Sequence, residues 1–208
     1  MLRVNSFPRT ANIFVSGFLQ QFFTIEDKTY TPQTMHDLSL LDNKEVKQIV
    51  IIRNPKDCIP SFEILKKLSD EYCEEPILYA INEWIRWHEK VIENSDHLFL
   101  FSFEQIINNP VDCLVSVADI NKIKYMPKYE MHNHHGRWVN AKTQLGPDDS
   151  IRSTSKNSKE YQSKVDEYFN QDPEILERVE LLYSKLKETI IINQKLFGIK
   201  IKEMGKNE

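Results

Sequence analysis

The segment Lys47-Gln48-Ile49-Val50-Ile51-Ile52 constrains this chain more than any other. Four β-branched residues in succession leave no polar face, so the strand they form must be covered on both sides. That is the condition of an inner strand in a parallel sheet flanked by helices. The run stops at Arg53-Asn54-Pro55, where Pro55 biases Asn54 toward extended backbone and Asn54 or Asp57 can cap a following helix. Two further strands are predicted on either side of it. Leu2-Arg3-Val4-Asn5-Ser6-Phe7 alternates apolar and polar residues, and His97-Leu98-Phe99-Leu100-Phe101 is a compact apolar run.

Helical patterns separate these strands. The apolar run Ile13 to Phe23 is long enough for a helix, with Thr10 or Asn12 as its cap. Ser61 to Leu68 reads as a second helix. Ile77 to Ile92 places Ile77, Ala80, Ile81, Trp84, Ile85 and Val91 at helical spacing, which assigns Trp84 and Trp87 to the core. Pro110 opens a helix through Ala118, and Pro173 to Phe197 is a long closing helix that ends near Gly198. From Lys122 to about Ser163 no periodicity is visible, and a stretch of that length is read as irregular. Strands alternating with helices give an α/β class with a parallel sheet. With 208 residues, one domain is expected over 1–208. Residues 1–110 form its core, 122–163 an irregular segment and 173–197 its C-terminal helix.

Composition removes several function classes. A formal net charge of −4 excludes a chain built mainly to coat nucleic acid, which needs a basic excess. No apolar run approaches the roughly 18 residues of a membrane span, and no secretory signal is read at the start. Cys58, Cys73 and Cys113 show no paired spacing, which fits a reduced, cytoplasmic location and no structural zinc. His132, His134 and His135 form a cluster without supporting cysteines, so no metal is expected there. They and Trp138 lie in the irregular segment, where they are read as candidates for contact with a ligand. Five glycines supply neither a GxGxxG turn nor a GxxxxGK[ST] loop.

In open parallel sheets, ligands bind beyond the carboxyl ends of the strands. Two such ends carry anion-binding chemistry here. The first is Ser6-Phe7-Pro8-Arg9-Thr10-Ala11-Asn12, a polar turn before a helix, where backbone N–H groups and one guanidinium suit an anion. The second is Arg53-Asn54-Pro55-Lys56-Asp57, with Ser61 on the following helix, where a guanidinium and a hydroxyl can converge on one phosphate.

Together these motifs resemble the sulfotransferases that use 3′-phosphoadenosine 5′-phosphosulfate. Ser6 to Asn12 is similar to their 5′-phosphosulfate loop, S-[FY]-P-[KR]-S-G-[NT], and Arg53 to Ser61 to their 3′-phosphate motif, R-N-P-K-D-x-x-x-S. Leu100 to Ile106, with Pro110, resembles a further strand of the family. The resemblance runs from about Val4 to Pro110. It implies a P-loop NTPase-like sulfotransferase fold and transfer of a sulfuryl group to a hydroxyl or amine of a small-molecule or glycan acceptor. The product would be adenosine 3′,5′-bisphosphate, and no metal is implied. Carried over by position, Arg9 would hold the 5′-phosphosulfate and stabilise the leaving oxygen, with Thr10, Ala11 and Asn12 as donors around it. Arg53 and Ser61 would hold the 3′-phosphate. Phe14 and Phe103 would lie against adenine, and Thr154 would contact the nucleotide. His36, in Gln33-Thr34-Met35-His36, stands where the family has a K-T-H histidine and would be the base, since an imidazole titrates near neutrality.

Several positions depart from the family pattern. Ala11 replaces a glycine, Thr34 replaces the lysine of K-T-H, and the family's R-K-G segment has no clear counterpart. These departures keep two other functions in view, a nucleotide-binding or interaction protein without activity on the same fold and a P-loop kinase. The missing GK[ST] pattern speaks against the kinase.

Overall fold

A computed structural model describes residues 2–8, 15, 19, 24–25, 28–29, 34–68, 75–133 and 154–201. In chain order its strands are β1 (Leu2–Asn5), β2 (Thr24–Ile25), β3 (Lys28–Thr29), β4 (Thr34–Met35), β5 (Lys47–Ile52) and β6 (Leu98–Ser102). The helices are α1 (Pro55–Leu68), α2 (Pro76–Glu93), α3 (Phe103–Asn108), α4 (Pro110–Ile120), α5 (Thr154–Gln171) and α6 (Pro173–Phe197), and a short 3-10 turn covers Ser39–Asp42.

β1, β5 and β6 form a parallel sheet that β4 extends by two residues, in the order β4-β1-β5-β6. Val4 pairs with both Thr34 and Ile49, and Ile49 with Phe99. β2 and β3 form a separate antiparallel pair.

The β-branched run is covered on both faces, as its composition requires. Ile49 and Ile51 join Phe99, Phe101, Leu2 and Val4 on one side. There Val15, Leu19, Met131 and the apolar residues of α4 cover them. Val50, Ile52, Leu98 and Leu100 face the other way, into a core built by α1, α2, α5 and α6. Trp84 and Trp87 are buried there.

Local chemistry explains the element boundaries. α1 starts at Pro55 rather than at Ser61. The Asn54 side chain accepts from Lys56 N at 3.0 Å, and Pro55 occupies the first turn, where its missing N–H is harmless. Pro60 then removes a single bond to the Lys56 carbonyl and the helix continues. α3 was not expected. It forms because Ser102 and Gln105 make a reciprocal capping box, with Gln105 N donating to Ser102 Oγ at 3.1 Å and Ser102 N to Gln105 Oε1 at 3.0 Å.

The segment read as irregular is corrected at both ends, since residues 128–133 are helical and 154–163 belong to α5. α5 is polar along its first half, so its sequence shows no apolar stripe. Its burial comes late, through Val165 and Phe169 packed into the core beside α1. α6 ends at Gly198, whose φ of +68° is the left-handed value that favours glycine.

Among the described residues, the edge of β6 is closed by side chains rather than by another strand. Asn193 of α6 accepts from Leu100 N at 3.1 Å and donates to Leu98 O at 2.8 Å and Ser95 O at 2.6 Å. Gln194 donates to Leu100 O at 3.0 Å. The two amides satisfy groups that an exposed edge would leave open to another chain.

His88, in α2, lies wholly inside the second core, with Nδ1–H donating to Trp84 O at 2.7 Å. Burial pushes its imidazole down from 6.5 to about 4. A depressed histidine means that the unfolded chain binds more protons between these values. Stability is therefore complete above about pH 6.5 and falls as pH drops toward 4, by roughly 3 kcal/mol in total. Urea midpoints measured across this window should show that loss in the parent chain and a flatter profile in His88→Leu. An unchanged profile in the variant would assign the acid sensitivity to other groups.

Candidate functional site at the carboxyl edge of the sheet

The strand order reverses at β1. The chain first adds β4 on one side and then crosses to β5 on the other. Ligands of open α/β sheets bind at such a switch point, and the two anion motifs leave the sheet there, one after β1 and one after β5. Contacts between residues distant in sequence bring the motifs together. Ser6 Oγ accepts from Ile51 N at 2.6 Å. The Cys58 thiol of α1 donates to Pro8 O at 3.4 Å. The Phe7 ring lies 4.9 Å from that of Phe62, the neighbour of Ser61. The segment leading to Arg9 thus runs over the first turns of α1.

Arg53 follows β5 and is partly buried. Its guanidinium lies 4.5 Å from the centroid of the Phe103 ring, a cation–π contact that orders a long side chain at the mouth of the site. Phe103, the first residue of α3, is partly buried against the core. Two of the residues singled out in the sequence are therefore in direct contact. The ring of Phe103, expected near adenine, carries the Arg53 cation on one face in this structure. The surroundings are not purely cationic. Tyr183 of α6 titrates above its usual range because it is desolvated and because Glu104 and Asp57 face it.

His36 follows β4 and is exposed. Its Nδ1 lies 2.7 Å from Ser6 O, which places the imidazole beside the loop that leaves β1. The next residue, Asp37, is held by the buried side chain of Asn5, which accepts from Asp37 N at 3.1 Å and donates to Asp37 O at 2.9 Å. The Asp37 carboxylate accepts from Ser39 Oγ at 2.6 Å and from Ser39 N at 2.9 Å, at the start of the 3-10 turn. The Ser39 hydroxyl above all holds its pKa below the ordinary value.

Sequence reasoning passed over Asn5 and Gln48, two buried polar residues of the sheet. The available signal was Gln48 itself, an amide in a segment otherwise committed to burial. Arg9, Thr10, Ala11, Asn12 and Phe14 lie outside the described residues, as do His134, His135 and Trp138. Ser61 is described by its backbone alone, in the second turn of α1, and Thr154 likewise as the first residue of α5. His132 is exposed. Among the described residues no group of histidine, cysteine or carboxylate side chains is arranged to hold a metal ion, and no helix is long and apolar enough to cross a membrane.

In comparisons with known proteins, no family model, no curated protein and no solved structure matches this chain.

Proposed function

We propose that this chain is a sulfotransferase that moves a sulfuryl group from 3′-phosphoadenosine 5′-phosphosulfate to the hydroxyl or amine of a small-molecule or glycan acceptor, on a P-loop-like sulfotransferase fold. The observation that carries the reading is the convergence of the two anion motifs at the β1/β5 switch point, with Arg53 ordered at its mouth and His36 tethered beside it.

In this reading the acceptor oxygen or nitrogen attacks sulfur and forms the new bond in line with the one that breaks. The electron pair of the broken S–O bond stays on the 5′-phosphate oxygen. His36 takes the acceptor proton at Nε2, because Nδ1 faces a carbonyl oxygen. Arg9 and the N–H groups of its loop neutralise charge growing on the leaving phosphate, so catalysis is positioning plus electrostatics. Arg53 and Ser61 hold the 3′-phosphate. Ala11 and Thr34, which replace a glycine and a lysine of the family pattern, favour a second reading in which the nucleotide binds without transfer.

Arg53→Ala is expected to remove a charge-assisted contact of about 1.5–3 kcal/mol, weakening adenosine 3′,5′-bisphosphate binding roughly tenfold or more. Thermal-shift titration tests this, because a ligand at about 100 times its dissociation constant stabilises a fold by about 2.7 kcal/mol. A shift with the bisphosphate that shrinks in Arg53→Ala supports the donor site. An equal shift in both chains removes Arg53 from it. A shift with ATP and Mg²⁺ alone points to a kinase, and no shift with either nucleotide leaves an interaction protein.

A further inference from the structure

We propose that Asn5 and Gln48 are positioning residues that hold His36 as the Nδ1–H tautomer and so place the lone pair on Nε2. The role of that lone pair as a base rests on the transfer reading above. The tautomer does not.

The inference starts from a buried network that no sheet ladder requires. Asn5 at the end of β1 is 0 % exposed, as is Gln48 in β5. Asn5 Oδ1 accepts from Asp37 N at 3.1 Å, while Nδ2 donates to Asp37 O and to Gln48 Oε1, both at 2.9 Å. Gln48 Nε2 donates to Leu40 O at 2.7 Å. A backbone N–H only donates and a carbonyl only accepts, so both amide orientations are determined by their partners. Every hydrogen on the Asn5 amide is used.

The consequence falls on His36. Its predecessor Met35 is paired with Asn5 in the sheet, and its successor Asp37 is gripped at both backbone polar groups by the same residue. With both flanks anchored, the ring has its Nδ1 set 2.7 Å from Ser6 O. Ser6 is itself held, since its hydroxyl accepts from Ile51 N. A carbonyl cannot donate, so Nδ1 carries the proton and a neutral ring keeps its lone pair on Nε2. Free histidine favours the opposite tautomer, which makes the prediction distinctive.

The experiment is a long-range ¹H–¹⁵N correlation spectrum of the ¹⁵N-labelled chain at mildly alkaline pH, with His36 assigned from its absence in His36→Gln. The parent chain is expected to show nearly all of His36 as Nδ1–H. A predominantly Nε2–H signal there would overturn the proposal. In Asn5→Ser, which is too short to span Asp37, and in Gln48→Met, which keeps the shape but drops the amide, the Nδ1–H share should fall below half. A folded variant of either kind that retains the parent tautomer would remove that residue from the role. Two variants guard against one failing to fold. Where transfer is measurable, Asn5→Ser should lower kcat about 10²-fold with bisphosphate affinity unchanged. A chain without transfer activity would sink the base role while leaving the tautomer result intact.

Discussion

His36→Ala is expected to lower sulfuryl transfer by about 10²–10⁴-fold and to leave adenosine 3′,5′-bisphosphate affinity as it is in the parent chain. The reason is the separation of tasks that the proposed function implies at the carboxyl edge of the sheet. On the proposed reading, nucleotide contacts fall to the β1 loop and to Arg53, whereas His36 reaches the site from β4 with its Nδ1 2.7 Å from the Ser6 carbonyl oxygen. Removing its ring takes away the proposed proton acceptor without disturbing the Asn5–Asp37 clamp, which uses backbone groups of the next residue. Single-turnover transfer assays beside bisphosphate titrations separate the two effects. Full turnover in the variant would place the base elsewhere. A parallel loss of nucleotide affinity would mean that the imidazole contacts the donor rather than the acceptor.

Asn193→Leu is expected to destabilise the fold by about 3–5 kcal/mol, a large share of the roughly 5–15 kcal/mol that holds a domain of this kind together. Leucine fits the space, since its neighbours on the buried face of α6 are Leu182, Leu186 and Ile190. Volume is not the difficulty. The substitution strips partners from Leu100 N, Leu98 O and Ser95 O along the edge of β6 while the helix still keeps water from most of that edge. Urea denaturation of the two chains measures the difference. A change below about 1 kcal/mol would show that water or Gln194 satisfies the edge, and that Asn193 is incidental to it. Asn193→Asp should also destabilise, because a carboxylate keeps the acceptor for Leu100 N but loses both donors and faces two carbonyls.

Much of the fold was legible in short stretches of sequence. β5 occupies the six residues Lys47–Ile52 expected of it, and β6 and α2 lie within one residue of their expected bounds. Strong local period or continuous burial left those segments one conformation. α3 was missed because its signal is a pair of capping side chains rather than a period. α5 was missed because Thr154 to Lys159 carries no apolar stripe, and helices of this kind draw their stability from packing. The candidate site was legible as two motifs, and the residues that bind them to each other were not.

What the sequence determined by itself was the class of the fold, and it nominated two strand ends as candidate anion sites. Burial on both faces demanded a parallel sheet with helices, and cations at strand ends marked its carboxyl edge. Only the tertiary structure decided that Arg53 lies over Phe103, that Asn5 grips Asp37 next to His36, and that Asn193 closes the edge of β6. Each of those contacts joins residues between 32 and 98 positions apart. Which partners meet at such distances follows from strand order and register, and neither is encoded in any local window of residues.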